Sequence, residues 1–357
     1  RRQRQMCIRD SWEHEPTDAG HDPQTAGVSP KVLGEIAARV IEKLRGKAEA
    51  FGTVSAGEFS VVLLNSKGLR LAHRLTDANL VVNPSAQDAW ARVEQSAKSV
   101  DALNPEAAAE KALERVLAAR NPVELEPGAY EAVLEPLAFA EILQMLQWLG
   151  LSGRSIADGR SFLVGKEGER VFSEDFTLRE DPASGYPWPF DFEGTRRRAF
   201  APIERGVFKE PYLDLKTSKE LGKPNNGCAA MPFGSFPYGL NLVVEGGERT
   251  EEELISSVKR GVLVTRLWYT NVVEPKSFTL TGMTRDGLFL IEDGKITRAL
   301  KNMRFTQSML EALSAVEFGK PQELLGSTEW YDMHVPNASL VPPIKLEKFV
   351  FSSKTEF

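Results

Sequence analysis

The side chains suited to metal or acid–base chemistry are few. The chain has four histidines, His14, His21, His73 and His334. None sits at the spacing that brings two imidazoles and a carboxylate together on zinc. His73 stands in the run Leu71-Ala72-His73-Arg74-Leu75 with no local partner, and reads as a half-exposed strand histidine. His334 follows Glu329 and Asp332 in "STEWYDMHVPNASL", and one imidazole with two loop carboxylates reads as solvated loop. Cys228, in "NNGCAAMPFG", has no nearby histidine to take its proton. It reads as a small buried or loop cysteine. No Walker loop is present, nor a G-x-G-x-x-G opening a helix, so no nucleotide site is expected. What remains is the charged run "PFDFEGTRRR". Its Asp191, Glu193, Arg196, Arg197 and Arg198 form either a salt-bridged loop or one wall of a cleft.

A folded scaffold must hold these residues, and the composition allows one. The chain has 357 residues, 42% hydrophobic and 26% charged, ordinary values for a globular protein with a sizeable core. The net charge of −6 argues against direct nucleic-acid binding, which needs a basic stripe to collect phosphates. No run approaches the ~18 apolar residues of a membrane span. Two cysteines, Cys7 and Cys228, make no disulfide framework, which fits a reducing cytoplasm. The opening "RRQRQMCIRDSW" is basic without an apolar stretch, so it is no secretory signal. Residues 1–24 are expected to be a non-native or disordered tail, with the native protein beginning further upstream.

Periodicity then divides the chain. "SPKVLGEIAARVIEKL" reads as a helix capped by Ser29 with Pro30 at its first position, and "NPEAAAEKALERVLAAR" as a second, capped by Asn104. Between them lie strand runs with a turn at Gly68. Residues 25–120 are therefore expected to form an α+β layer of helices on an antiparallel sheet. "NPVELEPG" reads as a linker. From 127 to 357 a strand and the apolar helix "PLAFAEILQML" lead into many short strands, with turns at Asp286-Gly287 and Asp293-Gly294. "TEEELISSVKRG" is a helix with a capping box from Thr250 to Glu253. The fold class expected is α+β with a β-rich C-terminal domain.

The block "GVLVTRLWYTNVVEPKSFTLTGMTRDGLFLIEDGKI" resembles the TldD/PmbA family, the modulators of DNA gyrase and zinc-dependent peptidases. The order of "AHRLTDANL", "ELEPGAYEAVLEPLAFAEIL", "PFDFEGTRRR" and "GVFKEPYLDLKTSKELG" before it agrees. The resemblance covers roughly residues 30 to 351, with the upstream part of the family's N-terminal domain missing. In the active branch, a helix carries H-E-x-x-x-H, whose histidines bind zinc and whose Glu is the base, and a late Cys completes the site. Laying this sequence on that motif puts Gln144 and Leu149 at the histidines and Met145 at the Glu. Leu149 has no lone pair for a metal, and Met145 cannot take a proton. No Cys follows Cys228. The helix positions Leu137, Ala140, Ile142, Leu143, Leu146 and Leu149 are apolar on most sides, which implies burial.

The resemblance thus implies the PmbA or TldE branch: a chain with no catalytic residue, metal or cofactor of its own. Zinc is expected only in a TldD-like paralogue, with which it forms a cytoplasmic heterodimer acting on peptides or unfolded segments. Self-pairing into a homodimer is the alternative pairing. Two other functions stay open: a metallopeptidase with a non-standard site, and a peptide-binding or gyrase-linked interaction protein without hydrolysis. The candidate peptide cleft consists of Asp191, Glu193, Arg198, Arg266 and Gly282, with Gly282 letting another backbone approach a strand edge.

Overall fold

The computed structural model describes residues 13–14, 19–230, 236–330 and 333–355, with the side chains of Glu13, 327–330 and 333–334 outside that description. The helices begin where their caps dictate. Ser29 accepts from the Val32 amide, and Asn104 from Ala107, each followed by proline at the first turn. Thr250 and Glu253 exchange bonds as a capping box.

These two helices, Pro30–Leu44 and Pro105–Ala118, lie beside a long hairpin, Gly52–Leu64 and Arg70–Val82, whose second strand also pairs with Val93–Ala97. The hairpin turn is fixed by Asn65, whose Oδ1 accepts from the Lys67 and Leu69 amides. Leu69, Leu71, His73 and Leu75 alternate inward and are all buried. His73 is therefore not half-exposed. It packs between Trp188 and Phe190, its Nε2 donates to the Pro187 carbonyl at 2.8 Å, and burial lowers its pKa. The expected tail also ends sooner than residue 24: Asp22 caps a short helix, Pro23–Ala26, and Thr25 is fully buried.

The rest is two sheets. A ten-stranded sheet has Gly128–Leu134 near its middle, parallel to Arg260–Val264 and antiparallel to Ile344–Lys354. One end of it is the strand Leu267–Glu274, which among the described residues pairs only with Thr279–Thr284. That end strand is broken by two register shifts, holds Tyr269 at φ 54°, and exposes Trp268, Tyr269 and Val273. A six-stranded sheet ends on Glu323–Trp330, paired with Met333–Val341. Both turns expected at Asp-Gly pairs form, with positive φ at Asp286, Gly287, Asp293 and Gly294.

Between the sheets runs the helix Pro136–Met145, leaving the central strand through Glu135. Ala138, Phe139, Ile142 and Leu143 fill the main core. A second core joins the two early helices to Val133, Leu263, Phe289 and Ile291 of the ten-stranded sheet. Across that junction Arg115 pairs with the buried Glu135 at 2.5 Å, and Lys111 with Glu323 at 3.4 Å. No helix among the described residues is long and apolar enough to cross a membrane.

Candidate functional site

The helix Pro136–Met145, read from its sequence as apolar on most sides and buried, is open on one face. Leu137, Ala140, Glu141 and Gln144 recur at helical spacing and turn one face away from the core, onto a cleft of about 260 Å³. Gln144 and Trp148 are exposed, and Met145 and Leu149 are half-buried. The opposite walls come from Glu94 of the early sheet, Arg266 and Leu267 of the ten-stranded sheet, and Leu325, Asn337 and Ser339 of the six-stranded one. The cleft thus lies where all three sheets meet. A second cavity of about 340 Å³ shares Glu94, Leu137 and Leu325 with it and reaches the Arg115–Glu135 pair.

Past Met145 the helix widens into a π turn, Leu146–Leu151, closed by the Ser152 amide on the Gln147 carbonyl at 2.9 Å. The turn points Gln147 inward, where it is 3% exposed and its Oε1 accepts from the Gly239 amide at 3.1 Å. A Cβ on Gly239 would stand 2.3 Å from a Glu180 carboxylate oxygen and 2.9 Å from Gln147 Oε1, so a larger residue there would displace both side chains. Glu180 accepts from the Leu240 and Asn241 amides and forms an ion pair with Arg197, both side chains 1% exposed. Burial raises the pKa of Glu180, and Arg197 opposes the rise. This pair braces the cleft floor from behind.

The donors on the cleft do not suit zinc. Glutamine offers a weak neutral oxygen, and the two apolar positions after it offer nothing to a hard or borderline cation. Among the described residues no group of three His, Cys, Asp or Glu could hold a metal ion. Glu141 is the carboxylate facing the cleft from this helix. Burial raises its pKa, while Thr270 and Arg266 act against the rise. Arg266 itself is held by Asp286 at 2.5 Å.

Of the five residues expected to form a cleft, the structure brings Arg266 to this one. Asp191 is buried and closes its own loop, accepting from the Glu193, Thr195 and Ala229 amides; burial raises it to about 6. Glu193 accepts from the Leu215 amide at 2.8 Å, and burial raises it to about 7. Arg198 pairs with Glu210 at 2.5 Å and lies over the Phe200 ring. Gly282 lies inside the ten-stranded sheet, not at its edge, and its missing side chain makes room for Phe305 and the Thr270 backbone. Cys228 is 2% exposed, and burial pushes its thiol up. His334 has its backbone on the strand Met333–Val341, and its side chain lies outside the described residues. The residues that sequence reading missed are Glu94, Glu141, Gln147 and Tyr238. The signal for one of them was present: Glu141 is a polar position one turn before Gln144 in an otherwise apolar helix.

Residues 22–120 match the PmbA/TldA metallopeptidase central domain, and residues 127–353 the PmbA/TldA metallopeptidase C-terminal domain. A protein named metalloprotease from Methanothermobacter thermautotrophicus is 26% identical over 194 residues, 53% of this chain and 42% of that protein. An uncharacterized protein from Methanocaldococcus jannaschii is 32% identical over 109 residues, 30% of this chain and 26% of its own length. The chain therefore spans less than half the length of either curated relative. Two solved structures share the fold. One is named as a candidate modulator of a DNA gyrase from Thermotoga maritima, with TM-score 0.83 at 18% identity, covering 97% of this chain and 80% of that one. The other is TldE from Thermococcus kodakarensis, with TM-score 0.81 at 24% identity, covering 96% and 79%. With both domain models matched in order, the chain belongs to the TldD/PmbA metallopeptidase family.

Proposed function

We propose that this chain is the metal-free, TldE-like subunit of a two-chain peptidase, and that its cleft holds peptide while a metal-bearing paralogue supplies the hydrolysis. One observation carries the reading. The helix that presents zinc ligands in the active branch here turns Glu141 and Gln144 to a formed cleft, with Met145 and Leu149 half-buried beside it. The cleft is formed, and the side chains on this helix do not make a zinc donor set. The likeness to the TldE structure is consistent with that assignment, and the relative named metalloprotease supports the peptidase family.

The test has two parts. The purified chain, after mild chelation, is measured for zinc and assayed alone on unfolded peptides. It is then combined with a paralogue carrying H-E-x-x-x-H and assayed again. The reading expects no stoichiometric zinc and no cleavage by the chain alone, and cleavage by the pair above that of the paralogue. One zinc per chain, or hydrolysis by the chain alone, overturns it.

A further inference from the structure

One stretch of the surface is costly to maintain. In the end strand Leu267–Glu274, a register shift between Trp268 and Asn271 accompanies Tyr269 at φ 54°, in the left-handed region that tyrosine occupies only at an energetic cost. Asn271 braces the bulge, its Nδ2 donating to the Tyr269 carbonyl at 2.9 Å. The Tyr269 side chain stands in water, 66% exposed, with its ring 5.6 Å from that of Trp268. Arg285 lies over the exposed Trp268 ring at 4.2 Å and helps to hold it in place. Val273 is exposed further along the strand. Just past the strand, Lys276 donates to the Ser161 carbonyl at 3.3 Å, which ties this edge to the segment following the π turn. That segment and the turn itself add the exposed Val164 and Trp148. Apolar residues exposed singly are ordinary, but tryptophan, tyrosine and arginine set together on one edge have the composition of a binding hot spot.

We infer that this bulged edge is the surface on which the metal-bearing paralogue docks, with Trp268 and Tyr269 as its anchors. The occupant follows from position. Trp268 and Tyr269 directly follow Arg266 and Leu267, which wall the cleft, and Trp148 stands four residues past Gln144 of the cleft helix. A chain seated on these side chains lies beside the cleft. A peptide held in the cleft is cut only by a zinc site brought next to it, so the chain that carries zinc is the one this surface must receive. A second copy of this chain would bring a helix without a zinc donor set. The contact is made by side chains, since an edge shifted out of register twice is a poor template for a long added strand. The inference rests on the reading of the chain as one subunit of a pair and adds where the pair meets.

The experiment measures, by sedimentation velocity, the affinity of the full chain for a paralogue carrying H-E-x-x-x-H. Trp268→Ser combined with Tyr269→Asn removes both rings, and asparagine tolerates the left-handed backbone. This variant is expected to weaken the pair about a hundredfold or more, anchors of this kind being worth roughly thirtyfold each and less than additive. The control is Phe51→Ser combined with Trp90→Ser, which removes another exposed aromatic pair, 5.2 Å apart on the early layer, and is expected to leave the affinity within about twofold. A second measurement does not depend on how the variants fold. A photo-crosslinking benzoylphenylalanine in place of Tyr269, in an otherwise unchanged chain, is expected to capture the paralogue, and one in place of Trp90 is not. Wild-type affinity in the folded Trp268→Ser, Tyr269→Asn chain overturns this inference alone. So does an equal loss from the control, or capture at position 269 of a second copy of this chain or of nothing while the pair forms. Failure of the wild-type chain to pair with the paralogue overturns the two-chain reading, and this inference with it.

Discussion

Arg197 and Glu180 meet where neither is reached by water, and at the scale of single residues this pair has the largest consequence. Removing one partner strands the other charge. Arg197→Met is therefore expected to cost about 3–5 kcal/mol in a urea melt, and adding Glu180→Gln to recover a good part of it. A single variant as stable as wild type would show that the pair is dispensable. Glu193 makes a different prediction. Its folded carboxyl holds the proton to about 7, against an ordinary value of 4.5, because burial outweighs the Leu215 amide. The folded state binds that proton more tightly than the unfolded chain does. Its contribution to stability is thus full below about 4.5 and is lost as pH rises through about 7. Urea midpoints of wild type and Glu193→Gln, compared at pH values either side of that window, are expected to diverge, with the variant gaining on wild type at the alkaline end. Parallel curves would remove the assignment. Sequence alone named Glu193 and Arg197 as a charged loop, but not which of them meets water, because burial depends on contacts made 17 and 22 residues away, at Glu180 and Leu215.

At the scale of elements, the helix Pro136–Met145 divides by face. Leu143 is 1% exposed in the main core, whereas Gln144 beside it is exposed. Leu143→Asp is expected to abolish folding or to cost several kcal/mol, since a lone carboxylate finds no partner there. Gln144→Ala is expected to stay within about 0.5 kcal/mol. Similar losses from both substitutions would contradict the division. The caps at Ser29, Asn104 and Thr250 and the turns at Asp286 and Asp293 were legible in sequence, because each acts over four residues or fewer. The open face of this helix was not, since Leu137 and Ala140 look like core residues until the strands that fail to cover them are known. The π turn was illegible for the same reason: Leu146–Leu151 has nothing in its composition that widens a helix. Gly282 was misread as a place for a visiting backbone because the sequence does not say that Phe305 already occupies it.

At the scale of the molecule, the two matched domains do not have separate cores. Residues of both early helices pack with Val133, Leu263, Phe289 and Ile291 from the back of the ten-stranded sheet. Calorimetry is expected to show one unfolding transition. A fragment of residues 127–357 alone would bare those four side chains, and is expected to aggregate or to bind a hydrophobic dye. Two separate transitions, or a soluble and dye-silent fragment, would argue for independent units. The α+β order of elements was readable from helical and strand periods, but the shared core was not, because pattern gives the apolar face of an element and not its partner. The end strand Leu267–Glu274 bears on a different property. An exposed sheet edge with apolar side chains is a template on which identical chains can stack without limit. Here the ladder is interrupted twice and kinked at Tyr269, so no long run of free amides and carbonyls is in register. An irregular edge of this kind disfavours stacking of identical chains, and straightening it is expected to favour growth into fibres.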